Sequence, residues 1–301
     1  MTQKLEGVFA ILATPFDEGG DLDVAAIRSL VEFELKAGVA GLTILGIMGE
    51  AHKLADEERR RVVQVVMDQV NRRVPVVVGT SHSGAEMAGR LSREAEEAGA
   101  AAVMVAPSPF AKTAEALRDY YATVARAVQI PIVLQDEPAT TGVLMPASLI
   151  VQLVRAVDRI PYVKLEEPPT PVKVSQIRRL ASDGVAIFGG LGGQYFLEEL
   201  LRGAVGTMTG FAYPEILVAI EAKVRAGKTK EAAFLFYRYL PLIRYEGQPG
   251  IGLAIRKEIL RWRGAIRSAT IRTPGMRLDP ETRQELFAIL DLLGLGPEFT
   301  G

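Results

Sequence analysis

The chain has 301 residues, of which 49% are hydrophobic and 24% are charged, so it can build a large core and is not a disordered chain. Its 35 basic and 36 acidic side chains nearly cancel, which gives no support for a nucleic-acid-binding surface. Cysteine is absent and only two histidines occur, His52 and His82. These counts exclude disulfides, thiolate chemistry and a three-histidine metal site.

The N-terminal sequence predicts no signal peptide, because it lacks a charged segment followed by an apolar stretch and a small-residue cleavage site. No apolar run approaches the roughly 18 residues that a membrane-spanning helix needs. We therefore expect a cytoplasmic protein that binds neither membranes nor nucleic acids.

Eight short apolar runs recur along the chain, and most lack a polar alternate face, which is typical of strands buried on both sides of a parallel sheet. The segments between them carry apolar residues at helical spacing, as Ile27, Leu30 and Val31 show in the first. The predicted strands are residues 7–16, 41–46, 74–79, 101–106, 131–136, 162–166, 185–190 and 206–211. The predicted helices are residues 23–37, 56–70, 85–98, 113–128, 146–157, 171–182, 194–202 and 214–226.

Strict alternation of strands and helices predicts one parallel sheet with helices outside it. Eight strand-helix units close a (β/α)₈ TIM barrel, and residues 1–226 have a suitable length for one. An open doubly wound sheet is the alternative, and it is disfavoured because no GxGxxG motif follows the first strand.

The remaining part of the chain, residues 227–301, reads differently. Helical patterns cover residues 228–243, 250–262 and 280–292, with no strand between them. We expect a C-terminal three-helix extension that packs on the barrel and forms one structural unit with it.

Lys164 is the most informative residue, because it is the only one of the chain's lysines that falls inside a predicted strand. Alternation places Val163 and Leu165 against the helices and turns Tyr162, Lys164 and Glu166 into the barrel. An amine held there loses hydration, which favours the neutral form that attacks carbonyl groups and forms a Schiff base. A buried ion pair of Lys164 with Glu166 or Asp136 is the structural alternative.

Other candidate residues follow from the rule that active sites of such barrels lie at the carboxyl ends of the strands. The turn after the second strand, residues 46–50, offers backbone amides to a carboxylate, whereas Glu50 within it has a structural alternative in bonding a neighbouring loop. The glycine-rich run 189–193 suits either a phosphate or a plain open loop. The acidic cluster at residues 136, 137, 166 and 167 is a weak magnesium candidate, because neighbouring carboxylates on a strand point in opposite directions.

Several of these motifs together resemble the dihydrodipicolinate synthase / N-acetylneuraminate lyase superfamily. The resemblance extends from residue 7 to about residue 295. Its motifs are Gly7-Val8 with Thr14-Pro15-Phe16, Gly46 with Gly49-Glu50, Leu54 with Glu57-Glu58-Arg59, Pro138 with Gly142, and Lys164 on the sixth strand.

The resemblance implies a (β/α)₈ barrel with a helical C-terminal extension, assembled as a homotetramer. It implies a metal-free class I mechanism without a cofactor, in which the strand-6 lysine, here Lys164, forms an imine with pyruvate or another 2-oxo acid. Members condense pyruvate with an aldehyde, cleave 2-oxo acids or dehydrate sugar acids. The residues expected to contact the substrate are Gly46, Ile47, Met48, Gly49, Thr140, Gly190 and Val205.

Four polar parts of the synthase site are missing. Gln135 stands where members have a proton-shuttling tyrosine, and an amide does not titrate. Ile47 and Met48 replace hydroxyl residues between the two glycines, and the stretch 107–110 lacks a tyrosine that enters a neighbouring subunit's site. Thr140 replaces an arginine that holds the aldehyde substrate's carboxylate.

We therefore expect a Schiff-base lyase or aldolase for a 2-oxo acid that is not the lysine-pathway enzyme. A 2-oxo sugar-acid dehydratase or hydratase-aldolase of the same superfamily is the first alternative, and a non-catalytic metabolite-binding barrel is the second. A metal-dependent aldolase is disfavoured by the scarcity of nitrogen ligands. Candidates for the missing acid are Glu166, Asp136 and His52.

Overall fold

The protein forms a closed barrel of eight parallel strands, each hydrogen-bonded to the next in chain order and the last to the first. The structure is a computed structural model, and it describes residues 4–182 and 184–299. The predicted (β/α)₈ fold is confirmed, although each strand is shorter than the apolar run that predicted it. The strands are β1 Gly7–Ile11, β2 Gly41–Ile44, β3 Val76–Gly79, β4 Ala102–Val105, β5 Ile132–Asp136, β6 Tyr162–Leu165, β7 Ala186–Gly189 and β8 Gly206–Thr209.

Helices follow the strands as predicted, and their bounds differ from the predicted ones by at most three residues at either end. A one-turn helix, α5, additionally follows β5. The barrel helices are α1 Val24–Lys36, α2 Asp56–Val70, α3 Ala85–Glu97, α4 Ala114–Ala127, α5 Pro138–Thr141, α6 Ala147–Ala156, α7 Thr170–Ala181, α8 Phe196–Leu201 and α9 Pro214–Arg225. The C-terminal helices are α10 Thr229–Glu246, α11 Gly252–Trp262 and α12 Pro280–Leu293.

Two separate apolar layers hold the barrel, because successive side chains of a strand point to opposite faces. The inner layer includes Phe9 and Phe188, whose rings meet edge to face at 5.5 Å, together with Met104 and Met208. The outer layer packs the opposite faces of the strands against the helices. Both faces of each strand are therefore buried, as the near-continuous apolar runs predict.

The C-terminal segment joins the carboxyl end of the barrel through buried charges. Lys257 on α11 is fully buried, and its Nζ lies 2.6 Å from Glu50 Oε1 and 2.8 Å from the Thr14 carbonyl oxygen. Arg272, in the connection between α11 and α12, pairs with Glu58 on α2 and donates to the Gly20 carbonyl at 2.8 Å. The extension therefore reaches the end of the barrel where active sites of this fold lie.

No helix within residues 4–182 and 184–299 is long and apolar enough to cross a membrane.

Candidate active site

Lys164 lies inside the barrel, as alternation predicts. Val163 and Leu165 belong to the outer apolar layer, whereas Tyr162 belongs to the inner one. Lys164 is only 2% exposed, and its Nζ lies 2.9 Å from Glu166 Oε2. The amine is thus removed from bulk water and has a carboxylate in direct contact.

Gln135 completes this arrangement from the neighbouring strand. It is in register with Lys164 across β5 and β6, and its Nε2 donates to Glu166 Oε2 at 2.7 Å. Glu166 Oε2 therefore contacts Lys164 Nζ and also accepts a hydrogen bond from the Gln135 amide. Gln135 cannot exchange a proton, but its amide can fix the orientation of the Glu166 carboxylate.

Gly190 provides the space that Glu166 occupies. A Cβ at position 190 would overlap Glu166 Cγ and crowd Oε1 at 2.9 Å. Any side chain larger than hydrogen would displace the carboxylate from the amine. Gly190 therefore shapes the site through Glu166.

Asp136 does not belong to this cluster. It points away from the barrel interior, as alternation with Gln135 requires, and its Oδ2 lies 2.6 Å from Lys173 Nζ on α7. Lys173 also pairs with Glu167, the neighbour that faces away from Glu166. Burial raises the pKa of Asp136 to about 6, and Lys173 opposes that shift. Of the three predicted candidate acids, the structure thus removes Asp136, because its strand position turns it toward the helices.

A cavity of about 380 Å³ opens above Lys164 at the carboxyl ends of the strands. From the barrel it is lined by Ile11, Gly46, Ile47, Met48, Glu50, His52, Lys53, Gln135, Glu137, Thr140, Lys164, Glu166, Leu191, Gly192, Gln194, Thr209 and Gly210. A second cleft, of about 360 Å³, lies between α2 and α3. It does not contain Lys164, so we place the candidate site in the first cavity.

The turn after β2 forms one wall of the cavity. Ile47–Gly49 is a single helical turn in which Gly49 N–H donates to the Gly46 carbonyl at 3.0 Å. Gly46, Ile47 and Met48 line the cavity, whereas Gly49 is buried beneath it, and its carbonyl accepts from Thr14 Oγ1 at 2.6 Å. Gly49 therefore supports the turn.

Glu50 has a structural role, because its carboxylate bonds neighbouring segments. It is fully buried, and its carboxylate accepts from Lys257 Nζ at 2.6 Å, Lys53 Nζ at 2.9 Å and the Arg272 backbone amide at 3.1 Å. Burial lowers the pKa of Lys257, and Glu50 opposes that shift. The network fixes the turn after β2 against the C-terminal extension.

His52 and Thr140 stand at the cavity as predicted. Burial, followed by the nearby charge of Lys53, lowers the pKa of His52 and favours the neutral ring at pH 7. Thr140 lies on α5, and its backbone amide donates to Glu137 Oε2 at 3.0 Å. Glu137 also lines the cavity, and burial raises its pKa. The sequence places Glu137 at this end of the barrel only as part of an acidic cluster and predicts no individual role for it.

Sequence reasoning also missed the wall that the C-terminal extension supplies. Glu246 and Arg256 pair within this wall, at 2.5 Å between Oε1 and Nε. The one sequence signal of this wall is the run Gly247-Gln248-Pro249-Gly250, which breaks the helical pattern. The extension contributes Glu246, Gly247, Gln248, Pro249, Gly250, Gly252, Leu253, Arg256, Ile271, Pro274, Gly275 and Met276.

Val205 lies at the opposite end of the barrel. It directly precedes β8 and packs against the inner apolar layer, and its carbonyl accepts from the Gly7 backbone amide at 2.9 Å. The expectation that it contacts substrate must therefore be corrected. The amino end of a strand cannot contribute to a cavity at the carboxyl ends.

Comparison with known proteins agrees with this geometry. A model of the dihydrodipicolinate synthetase family matches residues 4–293. L-2-keto-3-deoxyarabonate dehydratase of Azospirillum brasilense is 34% identical over 96% of this chain and 94% of its own length.

Solved structures match equally completely. Dihydrodipicolinate synthase of Rhodopseudomonas palustris superimposes with a TM-score of 0.91 at 37% identity, over 95% of this chain and 97% of its own. YagE of E. coli K12, a prophage protein whose structure is a complex with pyruvate, gives a TM-score of 0.89 at 26% identity, over 96% and 99% of the two chains.

Proposed function

Because the chain belongs to the dihydrodipicolinate synthetase family of aldolases and lyases, we propose that it is a metal-independent lyase that forms a Schiff base between Lys164 and a 2-oxo acid. The observation that carries the proposal is the buried Lys164 amine with Glu166 at 2.9 Å, at the floor of a cavity. An amine in this position attacks a ketone carbon, and the carbinolamine then loses water to give the imine. We propose that the enzyme needs no cofactor.

We assign the missing tyrosine's proton transfers to Glu166, with Gln135 as its positioning residue. The protonated imine withdraws electrons from C3, and the Glu166 carboxylate accepts the C3 proton to leave an enamine. When C4 carries a hydroxyl, the enamine electrons expel it as water after Glu166 returns the proton to the leaving oxygen. Hydrolysis of the imine then frees the product and regenerates the Lys164 amine.

Dehydration of a 3-deoxy-2-oxo sugar acid is the reaction that we favour within this class. The dehydratase of A. brasilense supports it, because its similarity covers nearly both chains. The cavity supports it too, since Thr140 stands where a synthase holds the aldehyde's carboxylate with an arginine. Because Ile47 and Met48 have no hydroxyl groups, only the backbone of their turn can bind the substrate's carboxylate. Aldol chemistry with pyruvate is the second candidate, which the pyruvate complex of YagE favours.

We further propose that the barrel (1–226) and the extension (227–301) act as one unit, because both line the cavity. Residues 1–3, 183 and 300–301 of these units lie outside the described part of the chain. A homotetramer in the cytoplasm, as the family resemblance implies, completes the proposal. Exposed apolar side chains, such as Phe110 at 80% and Phe234 at 73%, support association between copies.

Borohydride reduction tests the proposal. The protein is incubated with pyruvate or with a 3-deoxy-2-oxopentonate, reduced, and its peptides are weighed. We expect adducts on the peptide that contains Lys164 and none in Lys164→Ala. Without borohydride, dehydration yields a product one water lighter than the sugar acid, whereas aldol cleavage yields pyruvate and an aldehyde. No adduct with any 2-oxo acid would overturn the Schiff-base proposal and favour a binding role.

A further inference from the structure

Arg256 is a buried cation whose hydrogen bonding is incomplete. It lies on α11, is 4% exposed and donates through Nε to Glu246 Oε1 at 2.5 Å. Its Nη1 is buried and has no hydrogen-bond partner among residues 4–182 and 184–299. Leaving a donor of a buried charged group unpaired is costly, so an incompletely paired guanidinium in a cavity wall points to a ligand that pairs with it.

The guanidinium is built into the wall of the cavity above Lys164. Arg256 lines this cavity together with Glu246 and with Thr209 and Gly210 at the end of β8. A Cβ at position 210 would overlap Arg256 Nη1, so only glycine leaves room for the guanidinium there. Nη1 thus lies against the carboxyl end of β8, whereas Lys164 rises from β6.

Glu246 holds the guanidinium in place. Its Oε2 accepts from the Ala212 backbone amide at 3.1 Å while Oε1 receives Arg256 Nε. Anchored to the backbone just beyond β8, Glu246 limits the movement of Arg256. A guanidinium restrained in this way loses little further freedom when it binds a ligand atom.

We propose that Arg256 recognises the far end of the substrate by donating from its guanidinium to a distal hydroxyl oxygen of a 2-oxo sugar acid. The inference rests on the proposed Schiff base at Lys164, which fixes the substrate's other end. A hydroxyl fits better than a second carboxylate, because Glu246 already neutralises Arg256. Glu137 and Glu166, which line the same cavity, would repel a further negative charge.

Two variants test the proposal without removing the cation. Arg256→Lys keeps a positive charge for Glu246 but lacks the second donor branch, and Gly210→Ala displaces the guanidinium through its new Cβ. Arg261→Lys is the matched control, since Arg261 lies on the same helix, is 40% exposed and pairs with Glu258 outside the cavity. The steady-state kinetics of each protein are measured with a 3-deoxy-2-oxopentonate, and thermal unfolding verifies folding.

The expected result is a KM about 10- to 100-fold higher in both variants, with a smaller change in kcat, because a hydrogen bond from a charged group is lost. Borohydride trapping with 2-oxopentanoate, which has the same carbon chain without hydroxyls, supplies the second readout. Trapping of the hydroxylated acid should weaken much more than trapping of 2-oxopentanoate. Arg261→Lys should leave both unchanged.

Equal weakening for the two acids, with a lowered melting temperature, would show that Arg256 only supports the fold and would overturn the proposal. An unchanged KM for the hydroxylated acid would also overturn the role of Arg256. If adducts still formed on Lys164, the proposed Schiff-base function would remain supported. If the unsubstituted protein formed no adduct with any 2-oxo acid, the proposed function and this inference would fail together.

Discussion

Replacing Glu166 by glutamine separates imine formation from the proton transfers that follow it. The side chain keeps its size and can still contact the Gln135 amide and Lys164, but it can no longer accept or return a proton. Lys164 itself is unchanged in this variant. The amine therefore remains able to attack a ketone.

The size of the effect follows from the role that we assign. A positioned general acid or base contributes about 10²- to 10⁴-fold in rate, equivalent to roughly 3–5 kcal/mol of transition-state stabilisation. Because Glu166 serves both the C3 proton and the leaving hydroxyl, we expect the loss in kcat to lie toward the upper end of that range. Folding should change little, since Glu166 is 13% exposed and lines an open cavity.

The assay compares two rates in the same protein. Single-turnover trapping with pyruvate and borohydride reports imine formation, and product release from a 3-deoxy-2-oxopentonate reports turnover. In Glu166→Gln, turnover should fall by about 10³-fold or more while pyruvate is still trapped on Lys164. Glu167→Gln is the control, because Glu167 faces Lys173 outside the barrel, and its turnover should stay within about twofold.

Two results would refute this reasoning. Turnover within about tenfold of the unsubstituted protein would mean that another group transfers the protons, and Glu137 would be the next candidate. Loss of trapping in parallel with turnover, in a protein that still melts normally, would mean that Glu166 is needed for imine formation itself.

Three further predictions follow from neighbouring features. Gly190→Ala should lower kcat by about 10²-fold by pushing Glu166 away from the amine, and an unchanged kcat would show that this placement is unimportant. Lys257→Met should destabilise the protein by about 3–5 kcal/mol because it leaves Glu50 buried without its main cation, and an unchanged melting temperature would contradict this. Burial raises the pKa of Glu34 to about 8, so the folded state retains a proton that the unfolded state releases above about pH 4.5. Stability should therefore decline as the pH rises toward 8, and Glu34→Gln should raise the melting temperature more at about pH 8 than at about pH 5. A pH-independent difference would refute this.

The fold was predictable because burial on both strand faces leaves a clear trace in the sequence. The second strand, predicted as residues 41–46 and found at Gly41–Ile44, shows why some bounds remain imprecise. Apolar residues continue past Ile44 into the turn at Ile47–Gly49, where they line the cavity. Hydrophobicity alone cannot distinguish an apolar residue in a strand from one in a cavity wall.

The floor of the site was predictable for a local reason. Lys164 and Glu166 lie two residues apart on one strand, so alternation alone places both inside the barrel. The same rule turns Asp136 outward beside Gln135. Val205 was misassigned because its strand begins at Gly206, and the strand's other end forms the cavity.

The far wall was not predictable, because it depends on contacts between distant parts of the chain. Arg256 lies in a helix whose pattern indicates packing on the barrel, and nothing local shows that it reaches the end of β8. The same holds for Lys257, which meets Glu50 across a separation of 207 positions. Such pairings are decided by where the extension docks on the barrel.

The absence of a tyrosine at position 135 has to be weighed together with its surroundings on β6 and β7. Gln135 donates to the oxygen of Glu166 that also meets Lys164, and Gly190 leaves the space that Glu166 fills. Gln135 on β5, Glu166 at the end of β6 and the glycine after β7 thus form one arrangement around the Glu166 carboxylate. In the function that we propose, Gln135 therefore belongs to a different acid–base arrangement, in which the proton-transferring group lies at the end of β6 instead of on β5. In this proposal the Gln135 amide acts only by orienting Glu166, so the two residues have to be interpreted together.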